Sequence, residues 1–199
     1  MSKAVDYYFA PQSPWTYLGH QRFAAMAEKA GASIRVMPVD LGRVFPVSGG
    51  LPLPKRAPQR QAYRLVELAR FSKHLQLPMN VQPKCFPVSG DESAKLIIAV
   101  NLHDGAAQAM RVAGAIQQAC WAEERDIAAV QTLSEIIALL GLPAERIEQS
   151  RSPAAQERYD LDTQRAIDIG VFGAPTYVVN GEMFWGQDRL DFVERKLMS

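Results

Sequence analysis

Cysteine is nearly absent from this chain: Cys85 and Cys120 are the only two among 199 residues. Their spacing fits neither a zinc site nor a disulfide framework. Cys120 lies in a helical run with Ala119, Trp121 and Ala122 and reads as a small core residue. Cys85 sits in a Pro-Lys-Cys-Phe-Pro loop with no base or cationic cluster beside it, which argues against a catalytic thiol. Histidine is equally sparse. His20, His74 and His103 are scattered without metal spacing or a paired carboxylate, so they read as surface or helix residues and no metal is expected. Neither sign of charge dominates: 22 basic against 21 acidic side chains leave a net +1. No strong field steers nucleic acid to such a chain, and no nucleic-acid partner is expected. No apolar run reaches membrane-spanning length. The first residues, Met1-Ser2-Lys3-Ala4-Val5-Asp6, are too polar for a signal peptide. The expectation is a cytoplasmic protein with no membrane partner.

What is present is ordinary globular composition, 48% hydrophobic and 22% charged, enough for one compact core. The chain opens strand, turn, helix, strand. Val5 to Phe9 is an apolar strand-like run that breaks at Pro11. Ser13 or Gln12 caps a helix, with Pro14 in its first turn. That helix stops at Gly31, and Ser33 to Val39 alternates polar and apolar as a second strand. Such a βαβ unit implies parallel strands.

The middle changes character. Gly42 to Pro54 is rich in Gly and Pro and reads as loop. Helices follow at Gln59 to Gln76, Asp91 to Leu102, Asp104 to Glu124 and Ala129 to Leu140, the last halted by Gly141-Leu142-Pro143. The end returns to α/β. Ser152 to Ile169 is a helix with Pro153 first, and Thr176 to Val179 is a strand. Asn180-Gly181 is a strong hairpin signal, and Glu182 to Gly186 pairs back. A final helix spans Asp188 to Leu197, with Asp188 as candidate cap.

This order, β-α-β, then helices, then α-β-β-α, resembles an α/β thioredoxin-like domain with a large all-helical insertion. The expected division is 1–43 and 155–199 for the thioredoxin-like part and 44–154 for the insertion. In redox members of that fold the corner after the first strand holds Cys-X-X-Cys. Here the slot reads Ser13-Pro14-Trp15-Thr16. That corner, the helical insertion, Gly170-Val171-Phe172-Gly173-Ala174-Pro175-Thr176 and Phe184-Trp185-Gly186-Gln187-Asp188-Arg189-Leu190 together resemble the 2-hydroxychromene-2-carboxylate isomerase family. The family is close to the kappa-class glutathione transferases and to DsbA.

The resemblance implies the site. Ser13, alone a routine helix cap, would hold the thiolate of glutathione at a helix N-terminus, where anions are favoured. Cap and catalytic duty compete for the one oxygen. Ala174-Pro175 would be cis, and Ala174 would pair through its backbone with the cysteinyl part of glutathione. Gln187 and Asp188 would bind the γ-glutamyl end. Arg60, three residues before Tyr63, stands where the kappa-class pattern has lysine and would hold a carboxylate bidentately. Lys55, Arg56 and Lys84 offer further positive charge. The family's loop asparagine is unmatched, since this chain has Gly49-Gly50. Trp15, Phe86 and Trp185 could equally line an aromatic pocket or pack in the core.

The implied activity is glutathione-dependent isomerisation of a small aromatic acid, of the kind met in naphthalene degradation, by a homodimer. Two other readings stay open: a glutathione transferase that conjugates electrophiles, and a non-catalytic thioredoxin-fold binding module. Disulfide exchange is disfavoured, because the corner lacks both cysteines.

Overall fold

The computed structural model describes residues 3–198. Met1, Ser2 and Ser199 lie outside the described residues, and with them the first two positions of the polar N-terminal segment.

One four-stranded sheet organises the chain. β1 (Ala4–Phe9) pairs in parallel with β2 (Ser33–Pro38) and antiparallel with β3 (Thr176–Val179), which pairs antiparallel with β4 (Glu182–Trp185). The order is β2-β1-β3-β4. The first and last segments of the sequence therefore meet at the β1–β3 ladder, with Tyr7 opposite Tyr177. The β3–β4 turn uses Asn180 and Gly181, both at positive φ, as the sequence pair demands.

The period-2 alternation of β1 sorts its side chains onto two faces. Val5, Tyr7 and Phe9 join the main core, which also takes in Phe23 and Ala27 of α1 (Pro14–Lys29), Ile116 of α5 (Ala106–Trp121) and Val193 of α9 (Leu190–Met198). Tyr8 turns the other way, onto Met37, Val39 and Ala166 of α8 (Pro153–Asp168). The same main core runs on into Leu133 and Ile136 of α6 (Val130–Leu139), so the helical segment and the sheet share apolar packing. α4 (Asp91–Asp104) is tied to α7 (Glu145–Gln149) by a two-pronged Arg146–Asp104 pair at 2.6 and 2.8 Å.

The stretch expected as loop from Gly42 to Pro54 contains a helix. α2 spans Leu41–Ser48 with Pro46 inside it. Three local features outweigh that proline. Asp40 caps the helix by accepting from the Gly42 amide at 2.7 Å. Val44 is fully buried, and Gly49 closes the helix at φ 75°. α3 then runs over Pro58–Leu75.

His20 lies on a helix, one of the two places its sequence reading allowed, and not at the surface: it is 4% exposed and packs inside the protein. The Met110 carbonyl can only accept, so the His20 Nε2–H donates to it, at 2.9 Å. Nδ1 is then the acceptor for the Tyr7 hydroxyl at 3.1 Å. This bridge ties α1 to β1 and to α5. Burial holds the ring neutral by pushing its pKa down to about 4.

Candidate active site

The corner between β1 and α1 is built by local rules. Pro11 ends the strand region, and the Ser13 amide donates to the Ala10 carbonyl at 3.0 Å, closing a turn. Ser13, not Gln12, is the cap: its Oγ accepts from the Thr16 amide at 3.3 Å. Pro14 occupies the first helical position, where its missing N–H costs nothing. The Trp15 amide remains as a first-turn donor without an intrahelical partner.

Across the corner lies Ala174, followed by a cis Ala174-Pro175 bond as expected. The Ser13 hydroxyl donates to the Ala174 carbonyl at 3.5 Å, the long limit for such a bond. Ser13 and Ala174 are 8% and 9% exposed. A hydroxyl has one proton and two lone pairs. The cap uses a lone pair, and the proton rests on a stretched bond. The cap therefore leaves the hydroxyl proton available to an incoming acceptor.

Backbone contacts carry the site on from there. The Gly186 amide donates to the Pro175 carbonyl at 2.9 Å, which sets Gln187 and Asp188 beside the same segment. Gly186 has φ 105°, and a Cβ there would lie 2.5 Å from an Asp188 carboxylate oxygen. Gln187 is 1% exposed and packs on α1 at Gly19, where a Cβ would stand 2.7 Å from that of Gln187. Its Oε1 accepts from Arg22 at 2.8 Å. Asp188 is exposed and pairs with its neighbour Arg189 at 2.9 Å. It does not cap the last helix. A 3-10 turn, Gln187–Arg189, intervenes before α9 and absorbs Asp188.

Ser13, Ala174, Pro175, Gln187 and Asp188 thus lie along one connected path. Arg60 stands apart from it. It is exposed in the first turn of α3, and its side chain makes no hydrogen bond or ion pair among the described residues. α3 reaches the corner further along, where Phe71 meets Trp15 edge-on at 6.0 Å between ring centres. Trp185 is half-exposed and packs on Phe172, while Phe86 packs on the buried Trp121.

Two residues of this neighbourhood escaped the sequence reading. Thr16 is fully buried and its hydroxyl has no hydrogen-bond partner among the described residues. Its place, fourth in the corner where redox relatives keep a second cysteine, was the available signal. Arg22 fixes Gln187, and nothing in its helical surroundings marks it. The cysteines stand far from catalysis in character. Burial pushes the Cys120 thiol up to about 12, and Cys85 donates to the Glu124 carbonyl at 3.4 Å. Among the described residues no cluster of His, Cys, Asp and Glu could hold a metal ion.

The model of the DSBA-like thioredoxin domain matches residues 4–198. A 2-hydroxychromene-2-carboxylate isomerase of Pseudomonas putida is 32% identical over 96% of this chain and 92% of its own length. The chain belongs to the 2-hydroxychromene-2-carboxylate isomerase family, on the DsbA-like thioredoxin fold. A further relative of that name, from Sphingobium xenophagum, is 30% identical over the full length of both chains. A solved structure of a 2-hydroxychromene-2-carboxylate isomerase superposes with a TM-score of 0.83 at 30% identity, covering 98% of this chain and 94% of that one. This member of the family carries Ser13 at the corner after β1, where redox proteins of the thioredoxin fold keep Cys-X-X-Cys. No helix among the described residues is long and apolar enough to cross a membrane.

Proposed function

We propose that this chain is a glutathione-dependent isomerase converting 2-hydroxychromene-2-carboxylate to trans-o-hydroxybenzylidenepyruvate. The observation that carries the reading is the Ser13 hydroxyl. It is buried at a helix N-terminus, its acceptor side is engaged by the Thr16 amide, and its proton is held only by the 3.5 Å bond to Ala174. Such a donor fits a thiolate sulfur and cannot itself exchange disulfides.

When bound at these residues, glutathione would supply a thiolate nucleophile for reversible addition to the unsaturated acid, whose hemiketal C–O bond opens to a phenol and a ketone, and it would be returned unchanged. The chain's own residues do the rest. Ser13 donates to the sulfur, and the N-terminus of α1 lowers the energy of its negative charge. Ala174 offers backbone groups to the cysteinyl segment. Gln187, anchored by Arg22, and Asp188 address the γ-glutamyl end, and Arg60 takes a carboxylate. Because isomerisation leaves composition unchanged, the site needs no oxidant and no second substrate. The same reading places the enzyme in the cytoplasm, where glutathione is held reduced. A homodimer is part of this proposal, and light scattering at micromolar protein tests it.

Two assays run side by side test the chemistry. The chromene acid should be isomerised only when glutathione is present, with no loss of free thiol. A chlorinated nitroaromatic should consume glutathione slowly or not at all. Steady thiol consumption with the second compound and no turnover of the first would assign a conjugating transferase instead.

A further inference from the structure

Three arginines gather at the start of α3, none of them in an ion pair among the described residues. Arg56 precedes the helix in extended backbone, and Arg60 and Arg64 stand four apart on α3, the spacing that stacks side chains on one helix face. Their charges press on one another. Arg56 is lowered by burial and by Arg60, and Arg64 is pushed down to about 10 by burial and by Arg56. Arg56 spends its Nε–H on the Leu51 carbonyl at 2.8 Å. Arg64 has no hydrogen bond or ion pair among the described residues. It lies over the ring of Phe86 at 5.2 Å and over that of Trp121 at 5.7 Å.

Glu67, one turn on along α3, pairs with Arg70, and no carboxylate pairs with Arg64 among the described residues. A half-buried guanidinium beside a second one, with no anion, is an arrangement that binding an anion relieves. Phe86 and Trp121 occupy one side of the guanidinium without taking any of its N–H donors, and a carboxylate matches such a fork. Arg64 also shares its helix face with Leu68 and Phe71, and Phe71 touches Trp15 in the Ser13 corner. Arg64 and Phe71 are seven positions apart on the helix, roughly 10 Å along the axis.

We propose that Arg64, backed by Arg56 and seated on Phe86 and Trp121, is the binding site for the carboxylate of an aromatic acid, separate from Arg60. The division follows exposure. Arg60 is solvated at the helix start, as suits the peptide carboxylate of glutathione. Arg64 is half-buried on an aromatic floor, as suits an apolar acid. The inference rests on the isomerase reading for the identity of the acid, but its test does not require turnover.

The test is calorimetric titration of the full chain with trans-cinnamate and with its neutral amide. Wild type should bind cinnamate at millimolar concentration or better. Arg64→Gln should weaken cinnamate about tenfold or more, the scale of a lost charged hydrogen-bonded pair, and leave the amide unchanged. Arg60→Gln should shift cinnamate less than about threefold, as expected for an exposed charge. Near-ultraviolet circular dichroism checks the fold of each variant. Should Arg64→Gln fail to fold, Arg64→Lys decides. It keeps the charge but loses the fork, so weaker cinnamate binding supports the site and unchanged binding overturns it. Absence of wild-type cinnamate binding, or an unchanged affinity in folded Arg64→Gln, also overturns it. If cinnamate binding depends on Arg64 while the chromene acid is not turned over, the isomerase reading fails and this site stands.

Discussion

The Ser13 hydroxyl points its proton at the carbonyl oxygen of Ala174 across 3.5 Å, joining the start of α1 to the residue before a cis-proline 161 positions away in sequence. The two halves of the corner come from opposite ends of the chain. The β1–β3 ladder brings them together, since Tyr8 pairs with Thr176 just inside the corner. The sheet register, and not any local feature, thus places the donor opposite the backbone segment that would carry a thiol peptide.

Removing that donor should separate catalysis from stability. Ser13→Ala should lower kcat/KM for glutathione-dependent isomerisation by about 10²-fold, the scale for one lost donor to a reacting anion. It should also cost about 1 kcal/mol of stability, because the Thr16 amide loses its cap. Ser13→Gly should show the same kinetic loss with only a few tenths of a kcal/mol in stability, since glycine is itself an acceptable cap. Kinetics with urea titration of both variants checks this. Full activity in either would remove Ser13 from the chemistry.

Much of this site could be read from residue order. Ser13-Pro14 announces a capped helix start, and Asn180-Gly181 announces the β3–β4 turn, because each pair has few other conformations open to it. What stayed hidden depended on burial. The Pro-rich tract around Pro46 looked like loop because a cap at Asp40 and a buried Val44 gain weight only once α2 has something to pack against. His20 shares the helical spacing of the buried Thr16, Phe23 and Ala27, so its side was legible, but its two bonding partners come from β1 and α5. Arg64 resembles any solvated helix charge until Phe86 and Trp121 are placed beneath it.

The close approach of Gly19 to Gln187 gives a second test. Alanine at 19 would set its Cβ 2.7 Å from the Gln187 Cβ and 3.1 Å from the Tyr177 hydroxyl. Neither neighbour is free, since Gln187 is held by Arg22 and Tyr177 is buried in the core. Gly19→Ala should therefore destabilise by about 1–3 kcal/mol, the usual cost of overpacking. It should weaken glutathione binding severalfold by pushing the 187–188 turn off α1. Thermal unfolding and a glutathione titration check both outcomes.

Phe71 offers a test that leaves the sulfur corner intact. Its ring meets Trp15 edge-on at 6.0 Å and fixes α3 against the start of α1. Phe71→Ala removes an aromatic pair worth about 0.5–1.5 kcal/mol beyond its area. KM for the chromene acid should rise severalfold, while affinity for glutathione stays within about twofold, because Ser13 and Ala174 keep their contacts. Steady-state kinetics varied in each component separates the two effects.

His20 makes the fold sensitive to acid. Its pKa falls from 6.5 to about 4 on burial, so the folded state resists the proton that the unfolded chain accepts. Above pH 6.5 neither state is protonated and the full stability is present. Between pH 6.5 and about 4 only the unfolded chain takes up the proton, and stability should fall by about 1.4 kcal/mol per pH unit from this group. The total loss by pH 4 is about 3 kcal/mol. His20→Asn cannot titrate, so it should be less stable at pH 7, where it loses the bridge between the Tyr7 hydroxyl and the Met110 carbonyl. Its stability should then change less steeply with pH over that window. Urea unfolding of both proteins at half-unit intervals from pH 7 to pH 4 measures the two slopes, and equal slopes would show that His20 is not the group that titrates.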